Sequence, residues 1–264
     1  MSSLSDTADA IRKKVERAEY HIEDFKSALG LGGGSPILGY AADVHEDGHG
    51  NLVCTTDVPV PGLENGIIVG DLVHQLRSCL DHIAYAMVKP VCTDDRTLRR
   101  ITFPVFYDPT EFTNSLSFKT LTDVLGSGSK QIAEIRRSQP YERDPISPKS
   151  DPLWVISKLD NIDKHRTILV LNPTISVSGR VKSHSGDFPF VARKQPIKAG
   201  TAVLNLSGPL PHPPREVEVE RISPFIVFAE TEGLCDNLSV FPLFRKMIKA
   251  ITRVTNSFES KRLI

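Results

Sequence analysis

The sequence of 264 residues lacks several features that would assign it to a specialised class of protein. Its four cysteines form no C-x-x-C pair, so they indicate reduced thiols and neither a disulfide framework nor a zinc site. Its longest strongly apolar stretches, such as TILVL at 167–171, are far shorter than the roughly 20 residues of a membrane helix. The first residues contain no apolar segment of the secretory type. We therefore expect no membrane partner and a cytoplasmic location.

The chain also has a formal net charge of zero and no cofactor-binding motif. Lys plus Arg number 32 and Asp plus Glu number 32, so no overall field attracts nucleic acid, and RNA binding would need a local basic patch. The glycine-rich stretch 30–36 lacks the Lys-Ser/Thr ending of a phosphate loop and is typical of a linker. His45 and His49 lie in a polar, glycine-rich segment, which is more often an exposed turn than a metal site. The sequence predicts neither a metal nor a cofactor.

Amphipathic helices and a strand-rich stretch dominate what is present. Apolar residues recur at helical spacing in four segments and alternate with polar ones in several short segments separated by Gly and Pro. Residues 91–150 are less regular, and they are expected to contain an extended stretch at 101–112 and a short helix within 129–141 that stops before Pro140. The pattern predicts an α+β fold in a single domain, 1–264, with a bundle of about four main helices, a β-hairpin after the first helix, and an antiparallel β-sheet inserted before the C-terminal helix. The helices are expected at 6–29, 66–89, 151–166 and 236–260, the hairpin at 37–60, and the β-rich insertion at about 167–231.

The second of these helices has an unusual polar face. Residues 70–88 contain two His, two Asp and one Arg but no Lys or Glu, the residues that normally cover a solvated helix face. Arg77 precedes Asp81 by one turn, a spacing that favours an ion pair, and His74 lies one turn from Ser78. Such a face is typical of a partly buried surface, where each polar group needs a partner. It is interpreted either as a proton-transfer and oxyanion site, or as a network that joins the helix to the sheet or to a second subunit.

A second polar cluster lies in KLDNIDKHR, residues 158–166. Asp160 and Asp163 are one helical turn apart, and three basic residues follow at the end of the helix. One interpretation is that the helix dipole favours these cations. The other is that Asp163 pairs with one cation while the others face a phosphate or the polar face of the second helix. The three basic residues are Lys164, His165 and Arg166.

Two motifs resemble a group of uncharacterised bacterial and phage proteins that share them, LRSCLDHIAY at 76–85 and KLDNIDKHR at 158–166. The spacing of Arg77 and His82, with four residues between them, is also similar to the signature of HEPN-type helical domains. Many of those domains are metal-independent ribonucleases of toxin, antiphage-defence and RNA-processing systems, and their motif commonly lies at a homodimer interface. The resemblance covers the helices and leaves the strand-rich part unexplained.

The resemblance implies RNA cleavage by attack of the substrate's own 2′-hydroxyl. His82 would act as general base or acid, and Arg77 would stabilise charge on the phosphorane. It further implies an RNA partner and a homodimer through the second helix. The other expected site residues are Asp81 and His74 as catalytic groups, Ser78, Lys164, His165 and Arg166 as substrate-binding groups, and Asp160 and Asp163 as orienting groups. The alternative is a non-catalytic scaffold in which the same polar face forms a structural or dimer-interface network.

Overall fold

A computed structural model gives the fold of the chain. It describes residues 4–29, 40–44, 50–54, 61–165, 169–183, 186–194, 202–205, 216–229, 234–235 and 238–264, and for His165 and most strand residues it describes the backbone alone. Nine α-helices lie in this described part, with a 3₁₀ turn at Pro148–Ser150. They are α1 (Leu4–Ala28), α2 (Leu63–Val88), α3 (Asp95–Leu98), α4 (Pro109–Asn114), α5 (Leu116–Leu125), α6 (Lys130–Arg137), α7 (Pro140–Arg143), α8 (Pro152–His165) and α9 (Val240–Ser260).

The four long helices α1, α2, α8 and α9 form the centre of the molecule. Their positions agree with the four predicted helices within a few residues, and α1 packs on both α2 and α9 while α2 also packs on α8. The apolar positions that the helical periodicity selected in α2 and α8 are all buried in one core. Amphipathic periodicity is a strong signal in helices this long, which is why these elements were predictable.

Residues 91–150, for which the sequence predicted one short helix ending before Pro140, contain five short helices, α3 to α7, and α6 is the predicted one. Most of them begin at a side chain that accepts a hydrogen bond from a free backbone N–H of the first turn. Asp94 caps α3, Asp108 caps α4, Ser115 caps α5 and Ser129 caps α6. Apart from α6, these helices have too few turns for a clear apolar period, so their capping residues were the available signal.

Six strands are described by their backbones. They are β1 (Tyr40–Val44), β2 (Gly50–Cys54), β3 (Val170–Ser183), β4 (Gly186–Lys194), β5 (Ala202–Asn205) and β6 (Glu216–Ala229). β1 pairs with β2 and β2 with β5, while β3 pairs with β4 and β6, all antiparallel. One strand of the stretch after α8 therefore joins the β1–β2 pair, so the strands are not organised as a separate hairpin and a single inserted sheet.

The expected α+β fold class is wrong. Among the residues whose side chains the structure describes, 73% are helical, and the described core is built mainly from helix residues. Leu171 and Phe228 are the strand residues in that core, at the ends of β3 and β6 nearest to the helices. The expectation failed because four of the five short helices, α3, α4, α5 and α7, were not predicted, which left the strand-rich stretch with too much weight. The fold is mainly helical.

Candidate functional site

The polar face of α2 is a narrow row of side chains along the helix surface. At about 100° per residue the row covers roughly 80° of the helix circumference. Five of its six members are exposed and Ser78 is half-buried. Lys14 of α1 contacts one side of this row and Asp160 of α8 contacts the other. This surface, called the α2 row below, consists of Ile67, Asp71, His74, Ser78, His82 and Tyr85.

Arg77 and Asp81 lie beside the row and hold the backbone of Phe103. The Nη2 of Arg77 donates to the Phe103 carbonyl at 2.8 Å, and the Phe103 N–H donates to Oδ1 of Asp81 at 2.8 Å. The same Arg77 nitrogen lies 3.0 Å from that carboxylate oxygen, which confirms the predicted ion pair. Both backbone groups of one residue are thus satisfied by two side chains of α2, and the Arg77 side chain is only 12% exposed.

Gln139 continues this arrangement along the extended segment 101–106. Its buried Nε2 donates to the carbonyls of Pro104 and Ile135 at 2.9 and 3.0 Å, and its Oε1 accepts from the N–H of Phe106 at 3.0 Å. The segment has no strand neighbour among the described residues, so side chains supply the partners that a β-ladder would otherwise give. This segment therefore joins the core through Arg77, Asp81 and Gln139 as well as through its own buried apolar side chains.

On the α8 side of the row, Asp160 binds two cationic or ionisable groups. Its Oδ1 lies 3.0 Å from Nδ1 of His74, and its Oδ2 accepts from Nζ of Lys164 at 2.9 Å. Asp160 is 9% exposed, whereas the His74 ring is 55% exposed. A nearly buried carboxylate therefore orients a histidine whose Nε2 has no hydrogen-bond partner in the described part of the chain.

Asp163, one turn later on α8, rests against the backbone of α2 at Gly70. A Cβ on Gly70 would lie 2.5 Å from Oδ1 of Asp163, so the glycine makes this close approach possible. Partial burial raises the pKa of Asp163, and the nearby carboxylates of Asp160 and Asp71 raise it further. No ion pair of Asp163 is found within the described residues, and Asp160 instead binds the cation of Lys164.

On the α1 side of the row, Lys14 donates from Nζ to Oγ of Ser78 at 3.0 Å, and Ser78 donates to the Gln75 carbonyl at 2.9 Å. Partial desolvation lowers the pKa of His82, and the positive charge of Lys14 lowers it further against the opposing effect of Asp81. His82 is therefore neutral over more of the pH range than an ordinary histidine.

The structure brings some of the expected site residues together and separates others. Arg77 faces Phe103 on one side of α2, whereas His82 faces Lys14 on the other, as expected for residues about 140° apart on a helix. His74, Asp160 and Lys164 form a connected group. Arg166 lies outside the described residues, as does the turn containing His45 and His49, and of His165 the backbone alone is described.

Three residues with long-range hydrogen bonds were missed from the sequence. The residues next to Lys14 and Gln139 in the chain do not distinguish them, because their roles depend on contacts with residues 64 and 33 or more positions away. The third, Glu134, is buried between α6 and α9, where it accepts from Ser257 at 2.5 Å and from Lys261. Glu134 lies on the polar side of a short amphipathic helix, so local periodicity predicts exposure and not burial.

Metal-binding clusters and membrane-spanning helices are not found in the described part of the chain. No group of three or more His, Cys, Asp or Glu side chains among those residues is placed to hold a metal ion. None of the helices in the described ranges has the length and apolar character that crossing a bilayer requires. Cys79 on α2 is a buried thiol, and this burial raises its pKa to about 12, so it stays protonated at neutral pH.

Comparison with other proteins adds no information on this site. No protein-family model matches the chain, and no curated protein or solved structure matches it significantly. What can be said of function therefore rests on the geometry of α2 and its neighbours.

Proposed function

We propose that this chain is a non-catalytic interaction protein, in which Arg77 and Asp81 stabilise the fold and the α2 row contacts a protein partner. The observation that carries the proposal is the engagement of Arg77, which is largely buried and donates to the Phe103 carbonyl. An arginine that stabilises a phosphorane must present free N–H groups to the substrate. If Arg77 moved from Phe103 to a substrate, the buried Phe103 carbonyl would lose its hydrogen-bond partner.

The composition of the α2 row supports a protein partner. Between Glu64 and Lys89, α2 contains neither Lys nor Glu, which are among the residues that protein interfaces disfavour. The row also exposes two large apolar side chains, Ile67 at 47% and Tyr85 at 41%. Tyrosine is enriched in interfaces because its ring buries much area while its hydroxyl keeps a hydrogen-bond partner.

The binding test uses the two apolar members of the row. A partner isolated with the wild-type chain is purified and titrated calorimetrically against wild type and against Ile67→Arg/Tyr85→Arg. We expect the double variant to weaken binding by about 100-fold, since each residue is an exposed apolar contact of the kind that contributes about 1–2 kcal/mol. Leu116→Arg is the matched control, because Leu116 is exposed but lies on α5. Equal binding by wild type and the double variant contradicts the proposal.

RNA cleavage is a second candidate function because of the His74–Asp160 pair. A carboxylate that holds Nδ1 of a solvent-facing histidine leaves Nε2 able to accept or donate a proton, which is the arrangement of a general base. In this candidate the proton-transfer group is His74, and the resemblance-based roles of Arg77 and His82 are not needed. Lys14 contacts Ser78 of the row and Lys164 shares Asp160 with His74, so these two cations would hold the phosphate in this candidate.

A single assay distinguishes the two candidate functions. The purified chain is incubated with a mixed RNA pool in EDTA, beside His74→Ala, Asp160→Asn and His82→Ala variants whose folding is checked by circular dichroism. The interaction protein leaves the RNA intact in every case. Cleavage by wild type that is lost in His74→Ala and Asp160→Asn contradicts the first proposal and supports the second. Cleavage that is lost in His82→Ala alone supports the HEPN-type roles.

A further inference from the structure

A groove of about 630 Å³ lies between α1 and α9, and none of its lining residues belongs to α2. Its floor is apolar, because the half-buried side chains of Ile22 and Ile248 pack there against the hydrophobic core. Tyr20 stands at its edge with 64% of its surface exposed. An apolar floor with a large exposed aromatic at the rim is typical of a contact surface.

The two walls of the groove carry mainly opposite charges, since the α1 wall has three glutamates and Lys26 while the charged groups of the α9 wall are basic. Glu16, Glu19 and Glu23 project from α1 at spacings of three and four residues, and Arg245 and Lys249 project from α9 four residues apart. Glu23 pairs with Lys26 on its own helix. The other four of these charged side chains form no ion pair within the part of the chain that the structure describes.

The antiparallel packing of α1 and α9 sets these charges at matching heights. Arg12 pairs with Glu259 near one end of the helix pair, and the ring of Phe25 packs near Phe241 and Phe244 towards the other end. The glutamates and the basic residues lie between these two points and line the same groove. The acidic wall and the basic wall therefore run side by side along the groove.

We infer that this groove binds a second copy of the chain, as a two-fold dimer in which the acidic wall of each copy faces the basic wall of the other. A two-fold axis parallel to the helices places α1 over the partner's α9 and keeps the height of every residue. Glu19 and Glu23 then face the partner's basic wall at the levels of Lys249 and Arg245. An axis perpendicular to the helices would instead place like charges over like, which is unfavourable.

The contact is that of a four-helix bundle made from two helix pairs. The two apolar floors meet at its centre, and the charged walls lie at the flanks, where ion pairs between helices set the choice and orientation of the partner. This inference is independent of the proposed function, because it leaves the α2 row free. It also differs from the dimer through the second helix that the HEPN resemblance implies.

The test is a charge reversal with rescue, using the full chain and sedimentation velocity over a range of concentrations. Glu19→Lys/Glu23→Lys and Arg245→Glu/Lys249→Glu each place like charges across both symmetric contacts. We expect each double variant to raise the dimer Kd by about tenfold or more, and the quadruple variant to restore it. Added salt should weaken the wild-type dimer, because the pairs are solvent-exposed.

Two control variants distinguish this interface from a contact elsewhere on the molecule. Lys119→Glu/Lys130→Glu makes the same charge change as the α9 variant on α5 and α6, and it should leave the dimer Kd unchanged. Ile67→Arg/Tyr85→Arg should also leave the dimer Kd unchanged. If this variant lost the dimer, the interface would lie on α2 and the inference would be overturned. A wild type that stays monomeric, or a quadruple variant that folds but does not recover the dimer, overturns it as well.

Discussion

Replacement of Arg77 by Met measures how much the contact between α2 and the segment 101–106 stabilises the fold. Methionine keeps most of the apolar stem, so the variant removes chiefly the hydrogen bond to the Phe103 carbonyl and the ion pair with Asp81. A hydrogen bond from a charged group contributes about 1.5–3 kcal/mol, and the ion pair, whose carboxylate is partly exposed, adds about 0.5 kcal/mol. The Nη1 of Arg77 is buried with no hydrogen-bond partner. Removing this unpaired group stabilises the variant by about 1 kcal/mol, which offsets part of the loss.

The expected loss is therefore about 2 kcal/mol in the free energy of unfolding, or a fall in Tm of about 4–8 °C for a chain of this size. Urea denaturation with linear extrapolation measures it. Asp81→Asn should cost less, about 1 kcal/mol, because the amide oxygen can still accept from the Phe103 N–H. Arg99→Met is the matched control, since Arg99 is exposed and should change the stability by no more than about 0.5 kcal/mol.

The result that would refute this reasoning is an Arg77→Met variant as stable as the Arg99→Met control. Arg77 would then not be needed to hold Phe103, and its burial would have to serve another purpose. If such a stable variant also lost an RNA-cleaving activity that wild type possessed, Arg77 would be a catalytic residue. A destabilised variant whose activity or binding is unchanged under folding conditions is the outcome that a structural role predicts.

Two further predictions concern the buried and partly buried acids. Burial raises the pKa of Glu134, but hydrogen bonds from Lys261 and Ser257 outweigh it and the net shift is downward. Because the pKa is lowered in the folded state, the ionised carboxylate stabilises the fold above the unfolded pKa, and this stabilisation is lost as pH falls through the folded pKa. Glu134→Gln should therefore cost about 2 kcal/mol near neutral pH. In urea denaturation, the stability of this variant should fall less than that of wild type between neutral pH and about pH 3. The second prediction is a double-mutant cycle of Gly70→Ala and Asp163→Ala. Gly70→Ala should cost about 1 kcal/mol more when Asp163 is present than in the Asp163→Ala background, because the new Cβ meets that carboxylate. A cycle that shows no coupling would contradict this contact.

The candidate site was predictable in part. The sequence showed that the polar side chains of α2 are unusual, and the Arg77–Asp81 pair followed from their spacing of one helical turn. It did not show which side chains meet across elements. Asp160 binds His74 across 86 residues of sequence, and Lys14 donates to Ser78 across 64 residues. Neither contact can be predicted from the local pattern of polar and apolar residues.

The sequence by itself determined the four long helices and the faces that they bury. Periodicity over many turns is a local property, and the apolar residues it selected in α2 and α8 are all in the core. Tertiary structure alone decided the fold class, the pairing of β2 with β5, and the burial of Glu134 and Gln139. It also decided that Arg77 binds the backbone of Phe103, since a polar side chain has no preference for one buried partner over another until the packing of distant segments supplies it.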